Sequence, residues 1–598
     1  MKRFYFVIGL FLLVMSSLSA QMVFVPLENG VYRFLERMEI KGLTNRCFNA
    51  MKPIPRTEIL LYLLNIKDSE NYENLQPYEK KKLEDYLEEY SYERKFLDVP
   101  SSPSKSGIKS GIIGDSNLLK ALESGLEYTT GKEISLSDKE RSEKKWHPLH
   151  FPYKFFHKEN LLVFNPLFRF KYKNNESDNS FFAENNRRLT GGGEIYGYLG
   201  DNIGFYFRGV NNAEWGDSCD VKKLDRQEQG IGILGSIENC NTYDEVDAYV
   251  SFSTKYADLI IGRYSNYWGI GKTGSLTISN KPPSYPQIMV KAGFSNWLKF
   301  IYFHSWLESN IKDDSLSYGI DWGHNEILER KFFKKKYVAA HRLEISPLKN
   351  LKLGFSEMLY YGERDPELVY FIPIMLFWSA QHYTNDQDNL QAGIDIEWIP
   401  TRFCKLYGSI MIDEIKLSKM FDKEESRNQL GYQVGSYFVE PFLPGLDFRI
   451  EYTHLNPWTY THKFPINEAT SDGYVMGYWT GQNADNLYLG VDYQLNYKLK
   501  ISLDYSRYRK GAQDSIYYQY HTPPSEKFLF GHQYTKNTFG VSLEYEIMNN
   551  LFCELSCEFL DCNVNEANIN KEEYVNPVLY KSDFKQNSLV FSVGYGFK

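Results

Sequence analysis

The sequence predicts an all-β transmembrane barrel of about eighteen antiparallel strands, preceded by a small N-terminal α-helical bundle. Three observations predict it. From Leu161 to the end, apolar and polar residues alternate in eighteen segments, the period of a strand with one greasy face. The connections between those segments alternate short and long without a break, as they do when one rim carries tight turns and the other carries loops. In the last segment Leu589, Phe591, Val593, Tyr595 and Phe597 alternate with Ser588, Ser592, Gly594 and Gly596, the form of a barrel-insertion signal. Closure follows from physics. Hydrocarbon offers no hydrogen-bond partner, so a spanning sheet can have no free edge.

Residues 1–20 read MKRFYFVIGLFLLVMSSLSA. Lys2 and Arg3 form a basic start, Phe4–Met15 an apolar stretch and Ser16–Ala20 a small-residue end, so we read a signal peptide cleaved after Ser19 or Ala20. No Cys lies there to carry a lipid anchor. Residues 21–98 read as the helical bundle. Val31, Phe34, Leu35 and Met38 share one helix face before Gly42; Ile59, Leu60, Leu63 and Leu64 follow Pro55; Leu83, Tyr86 and Leu87 follow Pro77. Residues 99–160 read as a linker, rich in Ser, Gly and Pro at first and then charged and patternless.

Residues 161–598 form the predicted barrel. Its strands are expected at 161–172, 189–198, 203–210, 243–253, 257–264, 287–294, 298–307, 336–345, 351–361, 389–399, 404–414, 429–438, 446–455, 486–495, 498–507, 537–547, 551–561 and 588–598. An even number puts both barrel ends at the short-turn rim, on the side of the helical bundle. The inward face is strongly charged: Arg169, Lys171, Arg342, Glu344, Asp395, Glu397, Arg449, Glu451, Glu544, Glu554 and Glu558. These read as a network of opposed charges in the lumen. Glu357 is awkward, because it shares a face with Leu353, Phe355 and Leu359; a β-bulge or a rim position is expected there.

Composition narrows the function. The chain has 598 residues and a formal charge of −8, and loses two more positive charges with the leader. It has no concentrated basic surface for nucleic acid. Aromatic residues make up 16% at a mean hydropathy of −0.46, a heavy load for a polar chain. After the leader the longest nearly apolar run is Leu368–Trp378, too short for a spanning helix, which takes about 20 residues.

Motifs for catalysis or cofactors are weak. Gly269, Gly271 and Gly274 match G-x-G-x-x-G, but Ser275–Pro283 is no helix start, so no dinucleotide or other cofactor is expected. G-x-S-x-G and H-E-x-x-H are missing from the sequence. His147 and His150 read as a solvated pair, and no metal site is assigned. His341 has lipid-side parity, yet no Ser partner can be named for a phospholipase. Among seven Cys, Cys219 and Cys240 share one expected loop and are the candidate disulfide.

The predicted loops carry Trp215, Tyr267, Trp268, Trp378, Tyr383, Trp458, Tyr460, Tyr478 and Trp479 beside Asn, Asp and Gln. Sugar rings offer apolar C–H faces and a rim of hydroxyls, which flat aromatics and amides suit. Trp215, Tyr267, Trp268, Trp458, Tyr478 and Trp479 are the candidate polysaccharide-binding residues. The competing reading is an aromatic girdle at the headgroup level, favoured for Trp458 near a strand end and disfavoured for mid-loop Trp215 and Trp479.

Several stretches together resemble the capsule assembly Wzi family: GRYSNYWGIGKTGSLTISNKPP from Gly262, YVAAHRLEISPLKNLKLGFSEMLYYG from Tyr337, DNLQAGIDIEWIP from Asp388 and KLYGSIMIDE from Lys405. Arg263, Gly269, Gly271, Gly274, Arg342, Asp388 and Asn389 lie in these stretches and are assigned structural roles. The resemblance implies an outer-membrane barrel of a diderm bacterium, with its helices in the periplasm and its long loops at the cell surface. It implies a non-enzymatic lectin that retains capsular or other surface polysaccharide. Its partners would be that glycan, outer-membrane lipid and the barrel-insertion machinery. A carbohydrate-selective porin, an outer-membrane hydrolase and an adhesion or gliding component are the rival readings.

Overall fold

The computed structural model describes residues 22–97 and 152–597, apart from 158–159, 179–183, 217–227, 233, 238, 255, 324–325, 385–386, 416–427, 514–515, 517–525, 570–579 and 581. The expected leader, most of the expected linker with His147 and His150, and Cys219 therefore lie outside the described residues.

Eighteen strands close into one antiparallel barrel. They are β1 (Asn160–Ser177), β2 (Glu184–Leu199), β3 (Ile203–Gly216), β4 (Cys240–Ser253), β5 (Asp258–Tyr264), β6 (Tyr285–Ser295), β7 (Leu298–Leu307), β8 (Lys336–Leu348), β9 (Leu351–Gly362), β10 (Asn389–Thr401), β11 (Cys404–Glu414), β12 (Gln429–Val439), β13 (Leu446–Leu455), β14 (Ala484–Gln494), β15 (Leu499–Lys510), β16 (Tyr534–Met548), β17 (Leu551–Val564) and β18 (Phe584–Tyr595). The seam is β18 on β1, from Gln586↔Ser177 to Tyr595↔Phe168. Below it a short strand, Tyr153–His157, pairs with residues 160–164 of β1. That edge would otherwise be bare; it lies in the stretch whose sequence predicts a patternless linker.

Every expected strand has its counterpart. The largest differences lie at the long-loop ends, where β1, β2 and β3 reach Ser177, Glu184 and Gly216. Beyond the lipid band both faces of a strand meet water, so the alternation that marks a strand disappears there. Within the band, Phe168, Phe207, Ile261, Phe355, Ile394, Phe539, Leu555, Phe559 and Leu589 are each more than a third exposed. Exposed apolar residues in a ring of this extent are a lipid-facing belt.

The helices are α1 (Val31–Ile40), α2 (Arg56–Lys67) and α3 (Pro77–Glu89). They share a core of Val31, Leu35, Met38, Ile59, Leu60, Leu63, Ile66 and Leu83. Gln76 and Glu79 form a capping box at the start of α3. The module sits within the short-turn rim, held by apolar contacts, Phe24 against Tyr249 and Tyr264, Phe96 against Tyr198 and Ile40 against Ile399 and Tyr437, and by a set of ion pairs. Arg37 pairs with Asp447 and Glu440. Glu36 takes Lys405 at 2.5 Å and Arg449 at 2.9 Å. Glu39 takes Lys352 at 2.9 Å, and Arg33 takes Asp492 at 3.1 Å. Much of the charged lumen therefore docks the module to the wall.

Glu58 on α2 pairs with Lys299 of β7 and, at 3.7 Å, Lys291 of β6. Burial pushes the Glu58 carboxyl up, but the two lysines outweigh it and hold it at about 2, below its ordinary 4.5. The lysine contacts therefore stabilise docking fully above the ordinary value, and this contribution is lost as pH falls through about 2. Thermal melting from pH 5 to pH 2 should show the loss in the wild type, and Glu58→Gln should flatten that part of the profile. Equal slopes in both proteins would remove Glu58 from the docking account.

Candidate functional site

Two long loops turn into the barrel instead of outward. Residues 265–284 follow β5, and residues 456–483 follow β13. Met51–Lys52 of the helical module pairs antiparallel with Tyr267–Trp268 of the first loop. The Gly269 amide donates to the Ala50 carbonyl at 2.9 Å, and the Trp268 amide to the Ile278 carbonyl at 2.8 Å. Trp268, Leu276, Ile278, Tyr460, Met476 and Tyr478 then pack against inward-facing Met289, Ile301, Phe303, Val338, Met358, Tyr360 and Met411. The result is an apolar core inside the long-loop half of the lumen.

Glu451 of β13 anchors the first loop. Its carboxylate accepts the Lys272 amide at 2.6 Å, the Thr273 amide at 2.9 Å and the Thr273 hydroxyl. The Tyr407 hydroxyl at 2.6 Å and the Gln433 amide at 3.2 Å donate to it as well. The glycine motif serves this packing. A Cβ at Gly271 would lie 2.2 Å from the Gln433 side chain; one at Gly274, where φ is +150°, would lie 2.8 Å from Tyr478.

The other residues of the family stretches divide by place. Arg342 is 1% exposed inside the wall, 2.7 Å from Glu344 and 2.5 Å from Asp395. Asn389 donates inward to the Asn467 carbonyl at 2.9 Å. Asp388 accepts from the Tyr370 hydroxyl and Arg364, each at 2.6 Å. Arg263 stands exposed on the outer wall, its Nε donating to the Ser284 hydroxyl at 3.2 Å.

The geometry places most of the expected sugar-binding aromatics inside the lumen. Trp268 is 0% exposed, Tyr478 0% and Trp458 3%. Tyr267 and Trp479 are half-buried, the former donating to the Gly271 carbonyl at 2.8 Å and the latter to the Thr273 carbonyl at 3.0 Å. The physical reason is that most of them lie on loops that plug the lumen, where an indole or phenol fills volume in an apolar core. Trp215 remains accessible, at 39%, but on the end of β3 opposite Cys240 rather than in mid-loop. Cys240 is half-buried, and its expected disulfide partner, Cys219, lies outside the described residues.

At the long-loop end the lumen beside β14–β18 is capped by Trp479, Tyr508, Tyr534, Phe584 and Cys562. Beneath lies a charged cavity of about 540 Å³ between module and wall. Among its lining residues Lys52 and Lys272 have no carboxylate within ion-pair distance among the described residues, whereas Arg33, Glu36, Lys405, Arg449 and Lys500 are all paired. Lys52 stands instead 5.0 Å over the Tyr32 ring and 5.5 Å over the Tyr267 ring. Sequence reasoning missed this arrangement, since no periodic signal tells a loop to turn inward.

Comparison with known proteins follows the same outline. The chain is similar, over 96% of its length and 99% of the other chain, to Wzi of Escherichia coli, described as an outer-membrane protein involved in group 1 capsule assembly and a carbohydrate-binding β-barrel; the TM-score is 0.52 at 12% identity. It is less similar to OprD of Pseudomonas aeruginosa, with a TM-score of 0.39 at 10% identity over 73% of this chain and 92% of that one. OccAB2 of Acinetobacter baumannii gives 0.40 at 10% identity over 73% and 98%. No curated protein sequence matches the chain. The family model for capsule assembly protein Wzi matches residues 174–571, so the chain belongs to the Wzi capsule assembly family, whose outer-membrane barrel it folds into.

Proposed function

We propose that this protein is a non-enzymatic outer-membrane barrel that binds surface polysaccharide and keeps it on the cell. The helical module would face the periplasm, and the long loops would face the medium. Insertion would run through the barrel-insertion machinery. The observation that carries the reading is the filled lumen. Two inward loops and a docked module occupy the space a permeation path would need, which argues against the carbohydrate-porin rival. Family membership and the carbohydrate-binding description of the E. coli relative support a glycan as the ligand. Weak single contacts would suffice, because a long polymer can engage many copies at once.

Deleting the gene should move capsular polysaccharide from the cell-bound to the medium fraction. An unchanged cell-bound fraction would defeat the retention reading. Trp215 is the one aromatic of the expected set that stands exposed on the long-loop side. Trp215→Ala should weaken glycan binding by about 0.5–1.5 kcal/mol, the size of one stacking contact, and leave thermal stability unchanged. Binding isotherms of purified protein with size-defined capsule fragments measure it. Unchanged affinity would move the site to another outward surface.

A further inference from the structure

The outward loop after β9 neither projects into solvent nor enters the lumen. It folds back over the outside of the barrel. The register shows which side it covers. Arg342 and Glu344 of β8 point inward to Asp395, so Tyr337, Ala339 and His341 point outward. Tyr302 lies opposite His341, Leu359 opposite Ala339 and Tyr361 opposite Tyr337, all on the same outer wall. Residues 368–380 cover this patch, burying Tyr370, Phe377 and Ala380 against Tyr302, Tyr337, Leu359 and Tyr361. The Tyr302 hydroxyl donates to the Tyr370 carbonyl at 2.7 Å. Phe371 stacks on His304 at 4.0 Å.

This cover resolves the awkward Glu357. It occupies neither a bulge nor the rim. It sits on the outer wall within unbroken β9–β10 pairing, 3.1 Å from His341 Nε2, and accepts the Phe377 amide at 2.9 Å. Phe377 stacks on His341 at 4.5 Å. A polar pair on a lipid-facing wall is costly unless it is shielded, and the segment shields it.

What the segment turns outward is apolar. Leu368 is 80% exposed, Ile374 81%, Leu376 62% and Trp378 62%. No Asp, Glu, Lys or Arg lies between Glu367 and Asp386. The charged groups gather at the strand ends instead, as Lys334–Glu363, Lys335–Asp365 and Arg364–Asp388. Directly below the covered patch, Phe355 and Ile394 of the lipid-facing belt are paired neighbours, each more than two-fifths exposed. The new apolar surface therefore continues the belt outward by one layer.

We propose that residues 368–380 are embedded in the membrane, between the barrel wall and lipid acyl chains, with Leu368, Ile374, Leu376 and Trp378 in contact with lipid. The segment is a second layer on the barrel. It replaces a polar stretch of wall by a hydrocarbon-compatible one and leaves its charged ends at the headgroup level. A tryptophan at this position also acts as a reporter. The proposal depends on the membrane-spanning barrel and is independent of the glycan reading.

The test uses the full-length protein in vesicles of phosphatidylcholine, with or without bromine on the acyl chains. Wild type is compared with Trp378→Phe, and the difference is the emission of Trp378 alone. We expect that component to be lost in the brominated vesicles and to resist aqueous acrylamide. Quenching by acrylamide with none by bromolipid would place the segment in water. Quenching by neither would place it against a second copy of the chain. Either outcome overturns the proposal. Should Trp378→Phe disturb folding, a spin label at Ile374→Cys reads the same distinction: collision with oxygen supports lipid, collision with a water-soluble nickel chelate contradicts it.

Discussion

Glu451→Ala is expected to free residues 272–274 from the barrel wall and to lower the stability of the plug by several kcal/mol. The carboxylate accepts from two backbone amides, two hydroxyls and one side-chain amide. Alanine leaves these donors buried together with no acceptor, and each buried orphan costs about 1–3 kcal/mol. Relaxation and water entry into the adjoining cavity will recover part of that. Glu451→Gln keeps one acceptor oxygen but adds a donor into a ring of donors, so an intermediate loss is expected. The readouts are the heating temperature at which the folded band disappears on a denaturing gel and the rate of tryptic cleavage after Lys272. A variant that melts like wild type and keeps Lys272 protected would mean that the loop is held by its apolar packing alone.

The second large effect is expected at Arg342. Its guanidinium is 1% exposed and stands between Glu344 and Asp395, on adjacent positions of the inner wall. Arg342→Met removes the cation and leaves two carboxylates facing each other out of water. Breaking a buried ion cluster in this way costs about 3–5 kcal/mol. The same principle gives the internal control. Replacing all three residues by apolar ones of similar volume should recover much of the loss, because the uncompensated charge is what destabilises. Urea unfolding midpoints in detergent compare the three proteins. If the single variant is neutral, or if the triple variant is worse than the single one, the cluster does not stabilise the wall as argued.

Much of the fold is legible in the sequence. A strand in a membrane must show one apolar face, so Phe539, Val541, Leu543 and Tyr545 announce β16 as plainly as a hydropathy peak announces a helix. The three helices were legible from Pro55, Pro77 and the stripe through Val31 and Met38. The direction of a loop is not written this way. Trp268 and Tyr478 look like outward aromatics because nothing in local sequence separates an indole that meets a sugar from one that fills a barrel. The small hints were the glycines of 269–274, which permit backbone to approach the wall, and the abundance of inward charge, which needed partners. Glu357 illustrates the same gap. Its parity was right and its environment could not be inferred, since the residues that shelter it, near Phe377, lie at the far end of a loop. The apolar run Leu368–Trp378 was visible as composition and became meaningful only once its place on the outer wall was known.

The plug also alters how the inward charges should be understood. Arg37, Glu36, Glu39 and Glu58 on the module meet Asp447, Lys405, Lys352 and Lys299 on the wall. Charges arranged as complementary pairs at a docking face orient the module and fix its register. They do not line a route for ions. Lys52 and Lys272, which make no direct ion pair among the described residues, line the cavity below the apolar core, on the module side of the closure.

The account depends most on the closed lumen, and conductance in planar bilayers tests it directly. Full-length protein, inserted at a density confirmed by quantitation of the membrane, should give no steady ohmic current in concentrated potassium chloride. A large, voltage-independent unitary conductance from the intact chain would contradict the plug and favour the pore.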